Sequence, residues 1–187
     1  MAKEGISGKE NYHKRYVDIC KLVDGPVSAE VISTDHKGML NEAYELCELH
    51  QNIVIKIPMI KEGVKAIYEL HKKGIKTNCT LVFSPAQALL AAKAGATYVS
   101  PFIGRLDDVN ENGLELIKSI RTIYDNYNFE TNILAASVRS IEHINKCAEI
   151  GADFATIPYS LLNQLFDHPL TSKGLKIFLA DHAKLNP

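Results

Sequence analysis

The sequence predicts an α/β fold of the (β/α)8-barrel type, represented by about six βα units. Three observations lead there. Short apolar runs rich in β-branched residues alternate with amphipathic helical stretches along nearly the whole chain. Glycines stand where helices must stop and strands begin. Polar residues collect in the strand candidates or just past their C-terminal ends: Glu30, Lys56, Asn78, Thr80, Ser100, Arg105, Ser137 and Arg139. A strand–helix–strand repeat builds a parallel sheet with right-handed crossovers, either closed as a barrel or left open and doubly wound. A barrel gathers residues from many strand ends around one mouth, whereas an open sheet concentrates its site at one switch point. The spread of polar positions favours the barrel, and no G-x-G-x-x-G or Walker loop argues for an open nucleotide-binding sheet.

The elements follow in order. Residues 10–23 read as a helix with Tyr12, Tyr16, Ile19, Cys20 and Val23 on one stripe. Strands are expected at 27–33, 52–57, 76–83, 97–102, 131–136 and 153–157. Between them lie helical patterns at 37–50, 62–73, 85–94, 112–127 and 140–150. In the second of these, Val64, Ile67, Tyr68 and Leu70 form the apolar stripe, with Lys61, Lys65 and Lys72 facing away. Gly74, Gly95 and Gly151 sit at the C-terminal cap positions. Two further helices, 161–166 and 173–184, flank His168-Pro169-Leu170, and Phe178 and Leu179 there are set to pack on the domain or on a neighbour. The first helix has no strand before it, although crossover logic wants one, so the count of six strands against the eight of a closed barrel suggests an absent beginning.

Size and composition narrow the class. At 187 residues the chain suits one domain, 1–187, with a substantial core. The net charge of −1 is spread along the chain, which disfavours nucleic acid and anionic membrane as partners. No apolar stretch nears a membrane span, and Met1-Ala2-Lys3-Glu4-Gly5 is too polar for a signal peptide. Cys20, Cys47, Cys79 and Cys147 lie far apart and read as reduced thiols of a cytoplasmic protein. The seven histidines are scattered without metal-ligand spacing, so no metal is expected.

Lys56 carries the chemistry. In Asn52-Ile53-Val54-Ile55-Lys56-Ile57-Pro58 it lies within a strand apolar enough to be buried on both faces. Desolvation would depress its pKa toward neutrality and make it a nucleophile able to form a Schiff base with a carbonyl. The bland alternative is an edge-strand lysine snorkelling to water. Glu30 likewise reads either as an acid and base in a barrel mouth or as a structural partner of Lys56. Asn78 and Ser100 line a site or satisfy nearby backbone. Arg105, Ser137 and Arg139 suit a dianion, with the helix after Ser137 adding N–H donors, or are solvated loop residues.

Asp24–Val31, Ile55–Pro58, Thr77–Ser84, Ala88–Val99, Ser100–Asp108 and Ala135–Arg139 together resemble the short microbial transaldolases and the related fructose-6-phosphate aldolases over almost all of the chain. The resemblance implies a (β/α)8 barrel and a class I, metal-free Schiff-base mechanism without a cofactor. It implies transfer of a dihydroxyacetone unit between sugar phosphates in the pentose phosphate pathway, from sedoheptulose 7-phosphate to glyceraldehyde 3-phosphate. By the same resemblance Lys56 is the Schiff-base lysine and Glu30 shuttles protons through a water held by Thr80. Asn78 and Ser100 line the donor site; Arg105, Ser137 and Arg139 bind phosphate. Asp107 and Asp108 are expected to make structural loop contacts, with Arg105 a candidate partner.

Glu30 and Phe102 stand where fructose-6-phosphate aldolases usually carry glutamine and a proton-donating tyrosine, so the resemblance leans to the transferase. An aldolase releasing dihydroxyacetone is the alternative. The family's first strand with an Asp and its Thr-Thr-Asn-Pro-Ser-like segment have no counterpart here, which makes a catalytically impaired, truncated member a third reading. Similar proteins form pentamers and decamers, so a homo-oligomer is expected by resemblance.

Overall fold

The computed structural model describes residues 5–185; the segment Met1–Glu4, read above as no signal peptide, lies outside them. Six strands, β1 (Val27–Glu30), β2 (Ile53–Pro58), β3 (Thr77–Val82), β4 (Tyr98–Pro101), β5 (Asn132–Ala135) and β6 (Phe154–Ala155), form one sheet. All pairs are parallel, and spatial order equals chain order. The sheet curls into a half-barrel, an incomplete (β/α) barrel with β1 and β6 at its edges.

Helix α1 (Lys9–Leu22) precedes β1. The crossovers are α2 (His36–Cys47), α3 (Lys61–Lys72), α4 (Pro85–Lys93), the short α5 (Ile103–Asp107) with α6 (Gly113–Tyr127), and α7 (Ile141–Ile150). Side chains of Asp35, Ser84, Asn112 and Ser140 accept hydrogen bonds from the first-turn amides of α2, α4, α6 and α7, which sets where each helix begins. Gly74, Gly95 and Gly151 take φ of 72°, 86° and 93°, the left-handed conformation that ends α3, α4 and α7.

Two-residue alternation divides the strands. Ala29, Ile55, Ile57, Cys79, Val99, Ile133 and Ala135 are fully buried and belong to the core that the helices complete with Met39, Ala66, Ile67, Leu70, Ile117 and Ile120. The opposite set, including Lys56, Asn78 and Ser100, turns to the concave side. The first turn of α3 lies hard against the end of β2: a Cβ on Gly63 would lie 2.1 Å from the Pro58 carbonyl oxygen. Tyr124 of α6 spans to α4, its hydroxyl donating to Ala88 O at 2.8 Å.

Several expectations change in detail. Tyr68 belongs outside the α3 stripe; it is exposed, with the Lys72 ammonium 4.3 Å from its ring, and Gly63 and Ala66 take the buried face instead. β1 ends at Glu30 rather than at 33, because the Glu42 carboxylate accepts from the amides of Ile32 (2.6 Å) and Ser33 (3.1 Å) and draws them from the sheet. β6 shortens to two residues, and the Asp153 side chain takes the amide of Ile133 at 2.7 Å. The C-terminal helices run Tyr159–Gln164 (α8) and Pro169–Leu185 (α9). α9 has no buried residue; Phe178 and Leu179 are 73% and 62% exposed, so they do not pack on the domain.

Gly63→Ala should destabilise the fold by about 1–3 kcal/mol, since α3 must move off β2 to admit the methyl; urea unfolding measures it. Burial pushes the Cys79 thiol from its ordinary 9.0 up to about 12. Below pH 9 the thiol is protonated in both states. Above it only the unfolded chain releases the proton, so stability should fall between pH 9 and 12. Equilibrium unfolding of wild type and Cys79→Ala across that window checks it: the alkaline decline attributable to this thiol is lost in the variant.

Candidate active site

The concave side of the sheet opens on a cavity of about 350 Å³ lined by Ser28 and Glu30 of β1, Lys56 of β2, Asn78 of β3, Ser100 of β4 and Leu134 of β5, with Phe102, Ser137 and Thr156 just past the ends of β4, β5 and β6. The pairing register explains this convergence. Glu30 lies opposite Lys56, and Lys56 opposite Asn78, so three neighbouring strands aim polar side chains at one place.

Lys56 Nζ donates to Glu30 Oε2 at 3.0 Å. The lysine side chain is 26% exposed, in a strand otherwise buried except at Pro58, so it opens on the cavity rather than on bulk water along its length. Glu30 is 46% exposed, more open than the barrel-mouth expectation, because β1 is an edge strand with no neighbour on its outer side. Its own amide donates to the Tyr16 hydroxyl at 3.4 Å. Burial, the main effect, raises the Tyr16 phenol above its ordinary value.

Beneath the lysine runs a polar ladder. Ser100 Oγ donates to Asn78 Oδ1 at 2.8 Å, and Asn78 Nδ2 donates to Ser28 Oγ at 3.1 Å. These bonds join β4, β3 and β1 and fix the orientation of a buried amide; Asn78 and Ser100 satisfy each other, not a helix cap or backbone. By alternation Thr80 shares the face of Asn78, one step beyond Lys56. Its hydroxyl is buried with no protein partner, a polar atom that calls for a water or substrate oxygen.

Arg105, Ser137 and Arg139 come from α5 and the loop after β5. Ser137 has φ 59°, in the left-handed region, as β5 gives way to the loop. Arg105 lies 5.0 Å from the centre of the Phe102 ring. Arg139 Nη1 donates to Asp108 Oδ1, and Nη2 to Oδ2 at 2.6 Å. This contact holds the Asp108 carboxyl below its ordinary value and the guanidinium above its own. The candidate pairing of these aspartates with Arg105 is corrected: Asp108 makes its hydrogen bonds to Arg139, and Arg105 lies over the Phe102 ring. Asp107 accepts from Gly113 N at 3.1 Å and lies 3.2 Å from His143 Nε2.

Sequence reasoning did not single out Ser28 or Tyr16. Ser28 stands two residues before Glu30, so alternation alone could have found it. Tyr16 reaches the site only because α1 lies along β1, which no local pattern encodes. Among the described residues no group of three or more His, Cys, Asp or Glu side chains is arranged to hold a metal ion, and no helix is long and apolar enough to cross a membrane.

Similar proteins identify the family. The profile of the transaldolase/fructose-6-phosphate aldolase family matches residues 11–186. A protein named probable transaldolase from Cytophaga hutchinsonii is 61% identical over 186 residues, covering 100% of this chain and 85% of that protein. One of the same name from Parabacteroides distasonis is 59% identical with the same coverage. The crystal structure of inosine 5′-monophosphate dehydrogenase from Legionella pneumophila superposes with a TM-score of 0.58 at 18% identity, covering 80% of this chain and 48% of that one. That likeness is one of fold alone.

Ser100→Ala should leave Asn78 Oδ1 buried without its donor and cost about 1–3 kcal/mol. Denaturant unfolding gives the number.

Proposed function

We propose, from the premise that this chain belongs to the transaldolase/fructose-6-phosphate aldolase family, that it transfers a dihydroxyacetone unit between sugar phosphates through an imine on Lys56. The observation that carries this reading is Lys56 Nζ at 3.0 Å from Glu30 Oε2 inside a cavity on the concave side of the sheet. An amine must lose a proton to attack a carbonyl, and the carbinolamine that forms must gain one to expel water. One carboxylate in contact with the nitrogen serves both moves. The orphaned Thr80 hydroxyl supports a bound water along that proton path. Asn78, Ser28 and Ser100 offer hydroxyl and amide partners for the donor's own hydroxyls.

After imine formation the C3–C4 bond of a ketose phosphate breaks as a base takes the C4 hydroxyl proton. The aldehyde leaves and an enamine remains on Lys56. Phe102 in the cavity wall has no proton to give that enamine, which favours waiting for an aldehyde acceptor over release of dihydroxyacetone. Arg105, Ser137 and Arg139, from α5 and the loop after β5, suit the substrate phosphate. Glu30 is the one carboxylate lining this cavity among the described residues. That favours a second reading, in which the chain forms the imine but is impaired in carbon–carbon cleavage. A cytoplasmic homo-oligomer, with the exposed apolar residues of α9 in its contact, belongs to the same proposal.

Incubation with fructose 6-phosphate and borohydride should add one reduced adduct to Lys56, and Lys56→Arg should remove it. Glu30→Gln should slow trapping by about a hundredfold or more. Absence of any adduct on Lys56 in the wild type would sink the proposal. Erythrose 4-phosphate separates the other readings: dependence of turnover on it marks a transferase, release of dihydroxyacetone without it an aldolase, and an adduct with no turnover the impaired form.

A further inference from the structure

We infer that Gly104 of α5 and Asp108, the residue that caps its C-terminus, form a cradle that positions the Arg139 guanidinium for a phosphate group. The inference rests on the phosphate-site reading of Arg105, Ser137 and Arg139, and assigns it two residues that touch no substrate. The Asp108 amide donates to Gly104 O at 3.3 Å, closing the turn, so the two residues stand one above the other on the same face of α5.

Arg139 lies along that face and is held at two points. A Cβ on Gly104 would sit 2.7 Å from Arg139 Nε, 3.0 Å from its Cδ and 2.3 Å from Ser137 O. Only a hydrogen leaves room for the arginine stem there. At the far end both carboxylate oxygens of Asp108 take one Nη each, a planar fork that fixes the plane of the guanidinium. A guanidinium carries five N–H donors, and this contact leaves the remainder for an anion. The backbone is tied as well: Arg139 N donates to His143 Nδ1 at 3.4 Å, and His143 Nε2 reaches Asp107 at 3.2 Å. Ser140 Oγ meanwhile accepts from His143 N at 3.1 Å, capping α7.

The same carboxylate also repels an incoming phosphate, so the sign of its effect is a real choice. The Arg139 and Asp108 side chains are 48% and 53% exposed, and water and salt screen that repulsion. An unheld arginine would lose its rotamer freedom on binding, whereas the cradle has already removed it. Orientation therefore wins.

The test is the affinity of the full chain for inorganic phosphate by isothermal titration calorimetry. Asp108→Asn and Gly104→Ala should each weaken binding about two- to tenfold. Trapping of unphosphorylated dihydroxyacetone on Lys56 should be unchanged, a split that a general loss of structure would not produce. Arg139→Ala tests the underlying site separately: unchanged phosphate affinity in that variant removes the phosphate reading and the cradle with it. If Arg139→Ala weakens binding while Asp108→Asn binds phosphate equally or more tightly, the site stands and the cradle is overturned. Should Asp108→Asn fail to fold by circular dichroism, Gly104→Ala decides alone, and unchanged phosphate binding there overturns the inference.

Discussion

One geometric constraint organises this molecule: strand side chains alternate with period two, and in a parallel sheet the alternation stays in step across neighbours. Helices cover the convex side, so every second residue must be apolar and close-packed, as Ala29, Ile55, Cys79, Val99 and Ile133 are. The intervening residues are then released from core duty and share one concave surface. Lys56 faces Glu30 and Asn78 because the register β1–β2–β3 leaves them nowhere else to point.

Charged groups stand in two different environments in this fold. In the cavity a lone amine and a lone carboxylate touch, beside the hydrogen-bonded Ser100, Asn78 and Ser28. An isolated ammonium in such a place would be costly; paired at 3.0 Å and partly solvated, it is tolerated. The arginines of α5 and of the loop after β5 each have a different support. Arg105 rests on an aromatic face and Arg139 is clamped by a carboxylate. The first arrangement leaves all the donors of the fork unspent, whereas the second trades some of them for a defined plane.

Sheet edges account for the main departures from a regular barrel. Glu30 is open to solvent because β1 has no outer neighbour, and the outward amides beyond it are taken by side chains, Tyr16 for Glu30 and Glu42 for Ile32. Asp153 makes a comparable substitution where β6 narrows. Side-chain oxygens thus satisfy backbone donors at both margins, which explains why β1 and β6 are the shortest parts of the pattern relative to their apolar runs.

Alternating hydrophobicity and terminal glycines were enough to read six parallel strands and their crossover helices, and polar residues in or just past the strands to gather Lys56, Asn78 and Ser100 at one mouth, because each is a local property of the chain. Helix α5 was not legible, since five residues around a glycine carry no periodicity. Nor was the partner of Asp108, or the arrival of Tyr16 beside Glu30, because both depend on where separate elements dock. Sequence by itself determined which faces the side chains take. Tertiary structure alone decided which charged groups meet, since a contact across 31 residues, as between Asp108 and Arg139, is fixed by packing of α5 against the loop after β5 and not by any spacing along the chain.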